Sequence, residues 1–476
     1  DGLAAPDVLD LLSGLVDQSL VLAGDGEAKR QRYRQLETVR QFGQRQLDAH
    51  GEARRCGEKH LAYHVQLAER GAAQLAGAEA TQGAEALQAE LDNFRKALDF
   101  ALEDAATAEA GLRLATALAP FWNLRGYWRE GRQWLEKALA RSPRRDLARA
   151  TALNHLGVLA QKQADFAEAA AHIKESIAIK EACGDGHGKA ISLTNLGNLH
   201  TRLGDFDEAV TCQREAARLF AQHEDRQREA KVWNNLGAIH FLQGHYETAL
   251  ESFERSLELF QALDDPQRSG QCLNNLGVGH KELGDYTRAI VYHLQALELF
   301  DAVDDQDNLA LTYSQLALAH ANLATETDLY FAFEPVAHPE ALGEALSYLE
   351  SALAIHQRLN HARELAHDHF NLGCVHCSMG QPQRALPRLA RALKAAEPLD
   401  DAKLLVRIRS ALARAHAQAG HLNSAAVYSA QAVEQLAQVD AQDFEAVYFA
   451  HYRILDWATD GAALDFLKKA HEITIQ

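Results

Sequence analysis

Two cysteines and a histidine, in Cys374-Val-His-Cys377, have a spacing that could support metal or redox chemistry. Thiolates separated by two residues are typical of zinc sites and of disulfide exchange. The repeat pattern described below places them on a helix, and the sequence has no second cysteine pair. We therefore expect buried small side chains and no bound metal. A zinc site completed by a histidine from a neighbouring helix is the alternative.

The segment Gly184-Asp-Gly-His-Gly-Lys189 partly matches the sequence of a phosphate-binding loop. In a nucleotide site, Gly-x-x-x-x-Gly-Lys follows a strand and precedes Ser or Thr, so that backbone N–H groups and the lysine hold phosphate. Here Cys183 stands where the first glycine belongs, Ala190 follows the lysine, and helical patterns lie on both sides. The sequence therefore predicts a turn between two helices and no bound cofactor.

Catalytic side chains are not grouped by any motif. The carboxylates follow predicted helix faces, where charge runs are usual. The Ser, His and Asp residues show no strand-turn-helix elbow that would expose a nucleophile. We expect this chain to have no enzymatic activity.

A histidine recurs at one helical position in six units of the chain. The six are His200, His240, His280, His320, His376 and His416. The favoured interpretation is that each imidazole fills a slot between adjacent helices and hydrogen-bonds to a neighbour. The alternative is a functional one: packed histidines oppose protonation, so the protein would loosen at mildly acidic pH.

Polar side chains recur one and two places before a Leu-Gly or Leu-Ala pair. They are Asn154, Thr194, Asn195, Asn234, Asn235, Asn274, Asn275 and Ser314. Asparagine both donates and accepts hydrogen bonds, so a row of these side chains could pair with the backbone of an extended peptide. Bridges between neighbouring helices are the alternative. By spacing, the same face carries Arg202, Lys231, Lys281, His367 and Arg407, which would favour an acidic partner segment.

The elements that carry these residues repeat with a period of about 40 residues, within the range of helical repeat families. The strings ALNHLG, SLTNLG, VWNNLG and CLNNLG begin at 152, 192, 232 and 272. Between them, apolar residues recur at helical spacing, so each unit is predicted to be a helix, a tight turn and a second helix. Gly197, Gly237 and Gly277 are predicted to remove a side chain where the second helix presses in.

One unit is longer than the others. The step from Leu316 to Leu372 exceeds the repeat period, so roughly 16 residues are inserted within 321–345. The insertion carries an apolar cluster between two helices, formed by Leu329, Tyr330, Phe331 and Phe333. Such a cluster must be buried, on its own repeat in the favoured interpretation or on another molecule. Further along, Pro387 predicts a kink in a second helix.

Composition limits the classes of function. The net charge is -18, with 48 Lys and Arg against 66 Asp and Glu, so the chain repels phosphate backbones and anionic lipids. No stretch approaches the roughly 18 apolar residues of a membrane-spanning helix. The six cysteines are too scattered for a disulfide framework. We expect a cytoplasmic chain that binds neither nucleic acid nor membranes.

Residues 1–50 have a different pattern. A helix from Pro6 to about Asp17 precedes short strands at 19–23 and 32–36 and a further helix from Thr38. This helix-hairpin-helix order is what a winged helix leaves when its front is missing. The chain also begins with Asp1 rather than Met, which suggests that an upstream segment has been removed.

The repeating order Leu-Gly, aromatic or His, Gly, aromatic, Ala resembles the tetratricopeptide repeat, in seven units over about 146–440. The length of the units is similar to that of a long-helix subclass, and histidine replaces the large aromatic that usually follows Leu-Gly. The resemblance implies a right-handed superhelix. It also implies that first-helix positions line a concave groove for a peptide, a protein segment or, less often, a small ligand.

Two further regions resemble bacterial STAND proteins, the signal-transduction ATPases with numerous domains, of the LuxR-like or antibiotic-regulator type. They are the hairpin region, with LVDQSLV and RYRQLETVRQFGQRQLDAHGE, and the strings at 87–103 and 121–139. In that family an upstream nucleotide-binding module switches between ADP-bound and ATP-bound states, while the repeat arm senses an inducer and restrains the switch.

The resemblance implies a sensor and autoinhibitory arm in transcription regulation. Its partners would be a protein or peptide segment, or a small-molecule inducer, and the protein's own upstream nucleotide-binding module. A free-standing adaptor that tethers two proteins is the alternative.

The expected fold is all-α, a right-handed tetratricopeptide-repeat solenoid preceded by a partial winged helix with one β-hairpin. The expected parts are the winged-helix end at 1–52, a helical connector with a degenerate first repeat at 53–145, seven repeats at 146–440 with an insertion at about 325–341, and capping helices at 441–476.

Overall fold

The computed structural model describes most of the 476 residues. The described residues are 5–25, 31–75, 77, 80–325, 339–436, 447–448, 451 and 453–454. They form 21 α-helices and one two-stranded sheet. The chain divides into two compact units, Asp1–Leu199 and His200–Gln476.

The first unit opens with a helix, a hairpin and a second helix. Their bounds are α1 Ala5–Asp17, β1 Leu22–Asp25, β2 Gln31–Arg34 and α2 Glu37–Ala49. The strands are antiparallel, with Ala23 opposite Tyr33. The first strand begins later than predicted because the N–H groups of Leu20 and Val21 donate to the carbonyl of Leu15, at 2.9 and 3.2 Å, and complete the end of α1.

Five helices between the hairpin and the repeats share one hydrophobic core. They are α3 Ala53–Leu75, α4 Ala80–Ala89, α5 Leu91–Glu103, α6 Ala108–Arg125 and α7 Trp128–Arg141. Phe94, Phe121 and Trp122 are buried in this core beside Leu98 and Leu118. Burial of each such side chain stabilises the fold by roughly 1.5–3 kcal/mol. This core therefore holds α3 to α7 together and continues into the repeats through Leu153, Leu156 and Leu159.

First and second helices alternate over the rest of the described chain. The first helices are α8 Leu147–Lys162, α10 Gly186–Leu203, α12 Arg226–Leu242, α14 Pro266–Glu282, α16 Gln306–Thr325, α18 Ala362–Ser378 and α20 Ala402–Gln418. The second helices are α9 Phe166–Ala182, α11 Phe206–Gln222, α13 Tyr246–Gln261, α15 Tyr286–Ala302, α17 Pro339–Leu359, α19 Pro382–Ala396 and α21 Leu422–Leu436. Asp225 and Asp265 cap α12 and α14, each accepting a backbone N–H three residues later.

Glycine allows the two helices of a unit to approach closely. A Cβ atom at Gly237 would lie 2.5 Å from the Phe253 ring, and one at Gly277 would lie 2.5 Å from the His293 ring. Real Cβ atoms essentially never come so close to another heavy atom. The predicted role of these glycines is therefore confirmed.

The inserted segment lies between α16 and α17. Helix α16 ends at Thr325 and α17 begins at Pro339, and Leu342 and Ala345 of α17 belong to the same core as Ala321 of α16. The insertion thus falls between the two helices of one unit, as the spacing predicts. The predicted apolar cluster lies outside the described residues: Leu329, Tyr330, Phe331 and Phe333.

The last part of the described chain contains α19, α20 and α21. Helix α19 continues through Pro387 to Ala396 and is followed by a short 3-10 turn at Glu397–Leu399, so the expected kink stays a prediction. Few residues of the predicted capping helices at 441–476 are described; of these, Val447 and Ile454 are buried. Within the described ranges, no helix is both long and apolar enough to cross a membrane.

Candidate functional site

The second unit presents a set of exposed and half-buried side chains on its first helices. On α12 these are Lys231, Asn235, Ala238 and Leu242, whose spacing places them on one side of the helix. The corresponding residues of α14 and α16 are Gln271, Asn275, Val278, Glu282, Leu311, Gln315 and Leu318. We call these eleven residues the first-helix face.

The accessible surface at this helical position decreases along the chain. Ala238 on α12 is exposed and Val278 on α14 is half-buried, whereas the corresponding Cys374 on α18 is 1% exposed. Twelve of the 17 residues of α18 are buried. Beyond it, Arg414 of α20 is 2% exposed and donates to the carbonyl of Cys374 at 3.5 Å. In the second unit, the accessible side chains at this position therefore lie on α12, α14 and α16, where Leu318 is half-buried.

The predicted amide row is largely engaged within the protein. Asn275 Nδ2 donates to Asn234 Oδ1 at 2.9 Å, which joins α14 to α12. In the first unit, Asn195 donates in the same way to Asn154 at 3.1 Å, and the Thr194 hydroxyl donates to its own helix. The Asn274 side chain is buried, with its Oδ1 2.7 Å from His293 Nδ1. These contacts correspond to the bridging alternative.

Ser314 belongs to a buried polar cluster. Its hydroxyl donates to Asp368 Oδ1 at 3.0 Å, and Asp368 Oδ2 lies 2.7 Å from His356 Nδ1. Asp368 is 1% exposed and His356 is 4% exposed. The cluster joins α16, α17 and α18, so the role that the geometry gives Ser314 is internal.

The five predicted basic residues form two separate rows rather than one. Lys231, His367 and Arg407 lie near the first turns of their helices, whereas Arg202 and Lys281 lie in the last turns. About ten residues of helix separate the two rows along an axis, or about 15 Å. Lys281 is paired with Glu282 at 2.9 Å, and burial lowers the pKa of His367. The five residues thus lie near opposite ends of their helices, and a single basic face stays a prediction.

Charged side chains lie beside Lys231 of the first-helix face. Arg228 precedes Lys231 by one turn on α12, and Arg268 stands at the corresponding place on α14. Burial lowers the pKa of the Lys231 ammonium, and the positive charges of Arg268 and Arg228 lower it further. The carboxylates of Asp225 and Asp265 act on this pKa in the opposite direction, so Lys231 lies among both cations and anions of neighbouring repeats.

The recurring histidines lie between the helices of their own units. The rings of His280, His320 and His416 stack on tyrosines of the second helices, with centroids 5.3, 5.6 and 5.4 Å apart. His200 is within 3.2 Å of an Asp205 oxygen. Burial lowers the pKa of five of them: His240, His280, His320, His376 and His416. This placement agrees with the packing interpretation.

The cysteine pair is part of the packed interior. Cys374 is 1% exposed and Cys377 is fully buried, and burial raises the pKa of the Cys377 thiol. Within the described residues, no group of three or more His, Cys, Asp or Glu side chains could hold a metal ion.

A separate recess of about 520 Å³ lies between α19 and α21. Its polar lining includes Glu397, Arg409, Asn423 and Gln431, and Val427 and Tyr428 complete one wall. A recess of this size suits a small molecule. It does not include any residue of the first-helix face.

Sequence reasoning missed several residues of the accessible surface. Arg228 and Arg268 carry the charge beside Lys231, and Ala238 and Leu242 are exposed apolar residues on α12. A signal was present, because Arg228 and Arg268 are one repeat period apart and stand one turn before the predicted positions.

Three overlapping segments of the chain match the family model described as the tetratricopeptide repeat. The segments are 148–222, 188–262 and 228–302, and each begins one repeat period after the last. Residues 148–302 are tetratricopeptide repeats. The sequence predicts an all-helical solenoid of tetratricopeptide repeats preceded by one hairpin. This prediction is confirmed.

The chain is similar in sequence to mycobacterial proteins named as HTH-type transcriptional regulators. The relatives from Mycobacterium tuberculosis and Mycobacterium bovis are 38% identical over 135 residues. The match covers 28% of this chain and only 14% of each relative's length.

Solved structures share the tetratricopeptide-repeat fold at low sequence identity. A STAND protein with a tetratricopeptide repeat sensor from Pyrococcus horikoshii is 16% identical, with a TM-score of 0.56 over 96% of this chain and 60% of that chain. The apo form of RapI is 14% identical, with a TM-score of 0.57 over 80% and 98%. The apo quorum sensor NprR from B. thuringiensis is 15% identical, with a TM-score of 0.51 over 80% and 98%.

Proposed function

We propose that this chain is the signal-sensing and autoinhibitory arm of a STAND regulator. The arm binds a peptide, protein or small-molecule inducer on its first-helix face and thereby controls an upstream nucleotide switch in transcription regulation. The chain itself recognises and restrains, and it carries out no catalysis.

The observation that carries this proposal is the unequal accessibility of the first helices. On α12 and α14 the first-helix face offers cationic, amide and apolar side chains to a ligand, whereas the corresponding position of α18 is packed. Support comes from the STAND protein with a tetratricopeptide repeat sensor, whose fold resembles 96% of this chain. The relatives named as transcriptional regulators support the regulatory context.

The proposal is tested on the full-length protein purified from its host. We expect native mass spectrometry to detect a retained ligand that is released on denaturation, and nucleotide exchange to accelerate when that ligand is added back to stripped protein. Removal of residues 146–476 is expected to make exchange fast without ligand, because the restraint is then lost.

Matched variants locate the binding surface. Ala238→Arg and Val278→Arg place a bulky cation on the first-helix face and are expected to abolish ligand retention, whereas Gln295→Arg, at an exposed position of the second helix α15, is the control. Retention lost only in Arg409→Gln would move the site to the recess between α19 and α21. Exchange that depends neither on ligand nor on the arm would contradict the proposal and favour an adaptor.

A further inference from the structure

The recess between α19 and α21 contains two opposite charges that are not paired with each other. Its volume is about 520 Å³, and its lining includes the Arg409 guanidinium of α20 and the Glu397 carboxylate, which follows α19. Among the described residues, neither group takes part in an ion pair. Arg409 donates through Nη1 to the side-chain oxygen of Gln435. A guanidinium has five N–H donors, so this bond uses only part of its capacity.

Arg409 departs from the pattern of the repeats. The residues at the corresponding position of the preceding first helices are all buried or half-buried, and they are Leu153, Leu193, Trp233, Leu273, Tyr313 and His369. An apolar or aromatic side chain therefore satisfies the packing at this position. Arginine adds a permanent positive charge that this packing does not require.

An apolar wall belongs to the same recess. It is formed by Leu393 of α19 and by Val427 and Tyr428 of α21. The Tyr428 ring stacks on His416 of α20, with centroids 5.4 Å apart and an interplanar angle of 7°, which fixes its position. Val427 is 55% exposed, so a ligand side chain that covered it would remove apolar surface from water.

These groups define the chemistry of a ligand. A guanidinium matches the planar geometry of a carboxylate and can pair with both of its oxygens. The Glu397 carboxylate accepts hydrogen bonds from an ammonium group. Because the two charges of the lining cancel, the recess favours a molecule that carries both charges over a simple anion or cation.

From this arrangement we propose that the recess binds a free α-amino acid with an aliphatic side chain. The carboxylate of the amino acid pairs with Arg409, its ammonium group pairs with Glu397, and its side chain lies against Val427 and Tyr428. The site is formed by α19, α20 and α21, so this inference goes beyond the proposed function and does not depend on it.

Isothermal titration calorimetry on the full chain tests the inference with L-leucine as the probe. Three analogues each lack one group: isocaproate lacks the ammonium, isoamylamine lacks the carboxylate, and glycine lacks the side chain. We expect L-leucine to bind about tenfold more tightly than each analogue.

Matched variants assign each group of the ligand to its partner. Arg409→Gln is expected to remove the preference for L-leucine over isoamylamine, and Glu397→Gln the preference over isocaproate. Val427→Ser is expected to reduce the preference over glycine. Lys403→Gln and Glu434→Gln are the controls, because these residues are exposed on α20 and α21 and do not line the recess. Circular dichroism checks that each variant is folded.

The inference is overturned if the wild-type chain does not bind L-leucine at millimolar concentration, or binds isocaproate or isoamylamine as tightly. Wild-type affinity in both Arg409→Gln and Glu397→Gln would also overturn it. Ala238→Arg and Val278→Arg are expected to leave L-leucine binding unchanged, and loss of binding in them would place the amino acid on the first-helix face instead. Failure of this inference is thus distinguishable from failure of the proposed function.

Discussion

At the scale of the residue, histidine at a packed position couples the stability of the protein to pH. Burial lowers the pKa of His240, His280 and His376 below the value of 6.5 expected in an unfolded chain. The unfolded chain therefore binds more protons at mildly acidic pH. The contribution of the neutral histidines to the free energy of unfolding is fully present above pH 6.5. This contribution is lost as the pH falls below 6.5.

We predict that the melting temperature falls between about pH 7.5 and about pH 5.5, and that the triple variant His240→Phe, His280→Phe, His376→Phe shows a smaller fall. Phenylalanine fills a similar volume and cannot be protonated. Differential scanning calorimetry at the two pH values measures both changes. Equal falls in the wild type and the variant would exclude a role for these histidines.

Two glycines inside helices give opposite predictions. Gly237→Ala is expected to destabilise the protein by about 1–3 kcal/mol, because its Cβ would lie 2.5 Å from the buried Phe253 ring. Gly343→Ala is the matched control: it lies in α17, is exposed, and has no atom within 4 Å of the added Cβ. There we expect a gain of up to about 1 kcal/mol in helix propensity. Urea denaturation measures both, and a stabilised Gly237→Ala would show that the units are loosely packed.

The amide row shows what residue types can and cannot predict. The types of Asn234 and Asn275 indicated hydrogen bonding, and the structure joins them to each other at 2.9 Å. The sequence left open whether such a group faces a ligand or a neighbouring helix, because both lie on the same side of the first helix. Exposure decides this question, and exposure depends on how closely successive helices pack.

At the scale of the element, one buried position near the end of the second helices changes its chemistry along the chain. It is Phe in three successive units, at Phe220, Phe260 and Phe300, all at most 2% exposed. In the preceding unit the position is Lys180, 3% exposed, whose pKa burial lowers to about 8. After the insertion it is His356, which pairs with Asp368. Polar side chains thus replace phenylalanine at this position in the unit before and the unit after these three.

We predict that Asp368→Ala costs about 3–5 kcal/mol, because it leaves the His356 imidazole and the Ser314 hydroxyl without their shared acceptor. The double variant His356→Phe, Asp368→Thr copies Phe300 and Thr312 and is expected to recover most of this loss. Chemical denaturation followed by circular dichroism compares the three proteins. A double variant as unstable as Asp368→Ala would show that the polar pair itself is required.

The repeat period is sufficient to predict most helices of the repeats and the place of the insertion. It could not predict the His356–Asp368 pair, because no other unit has ionisable residues of opposite charge at these two positions. The period also treats all units alike, so it placed Arg202 and Lys231 on one basic face. The structure puts them near opposite ends of their helices.

At the scale of the whole molecule, composition and charge restrict the kinds of partner. A net charge of -18 opposes binding to other anions, yet Arg228, Lys231 and Arg268 lie near one another in the second unit, beside Asp225 and Asp265. A local cluster of this kind acts at short range, because salt screens charges beyond about 8–10 Å. The overall charge therefore predicts the classes of molecule that are repelled, whereas only the structure shows which charged side chains lie close together.

The burial of α18 has a consequence for how proteins with this fold can diversify. Twelve of its 17 residues are buried, so a substitution at these positions costs stability before it can alter recognition. Substitutions on α12 and α14 meet no such penalty at Ala238, Leu242 or Glu282, which are exposed. Proteins that share this architecture and bind different ligands should therefore vary on α12 and α14 and keep α18 nearly constant.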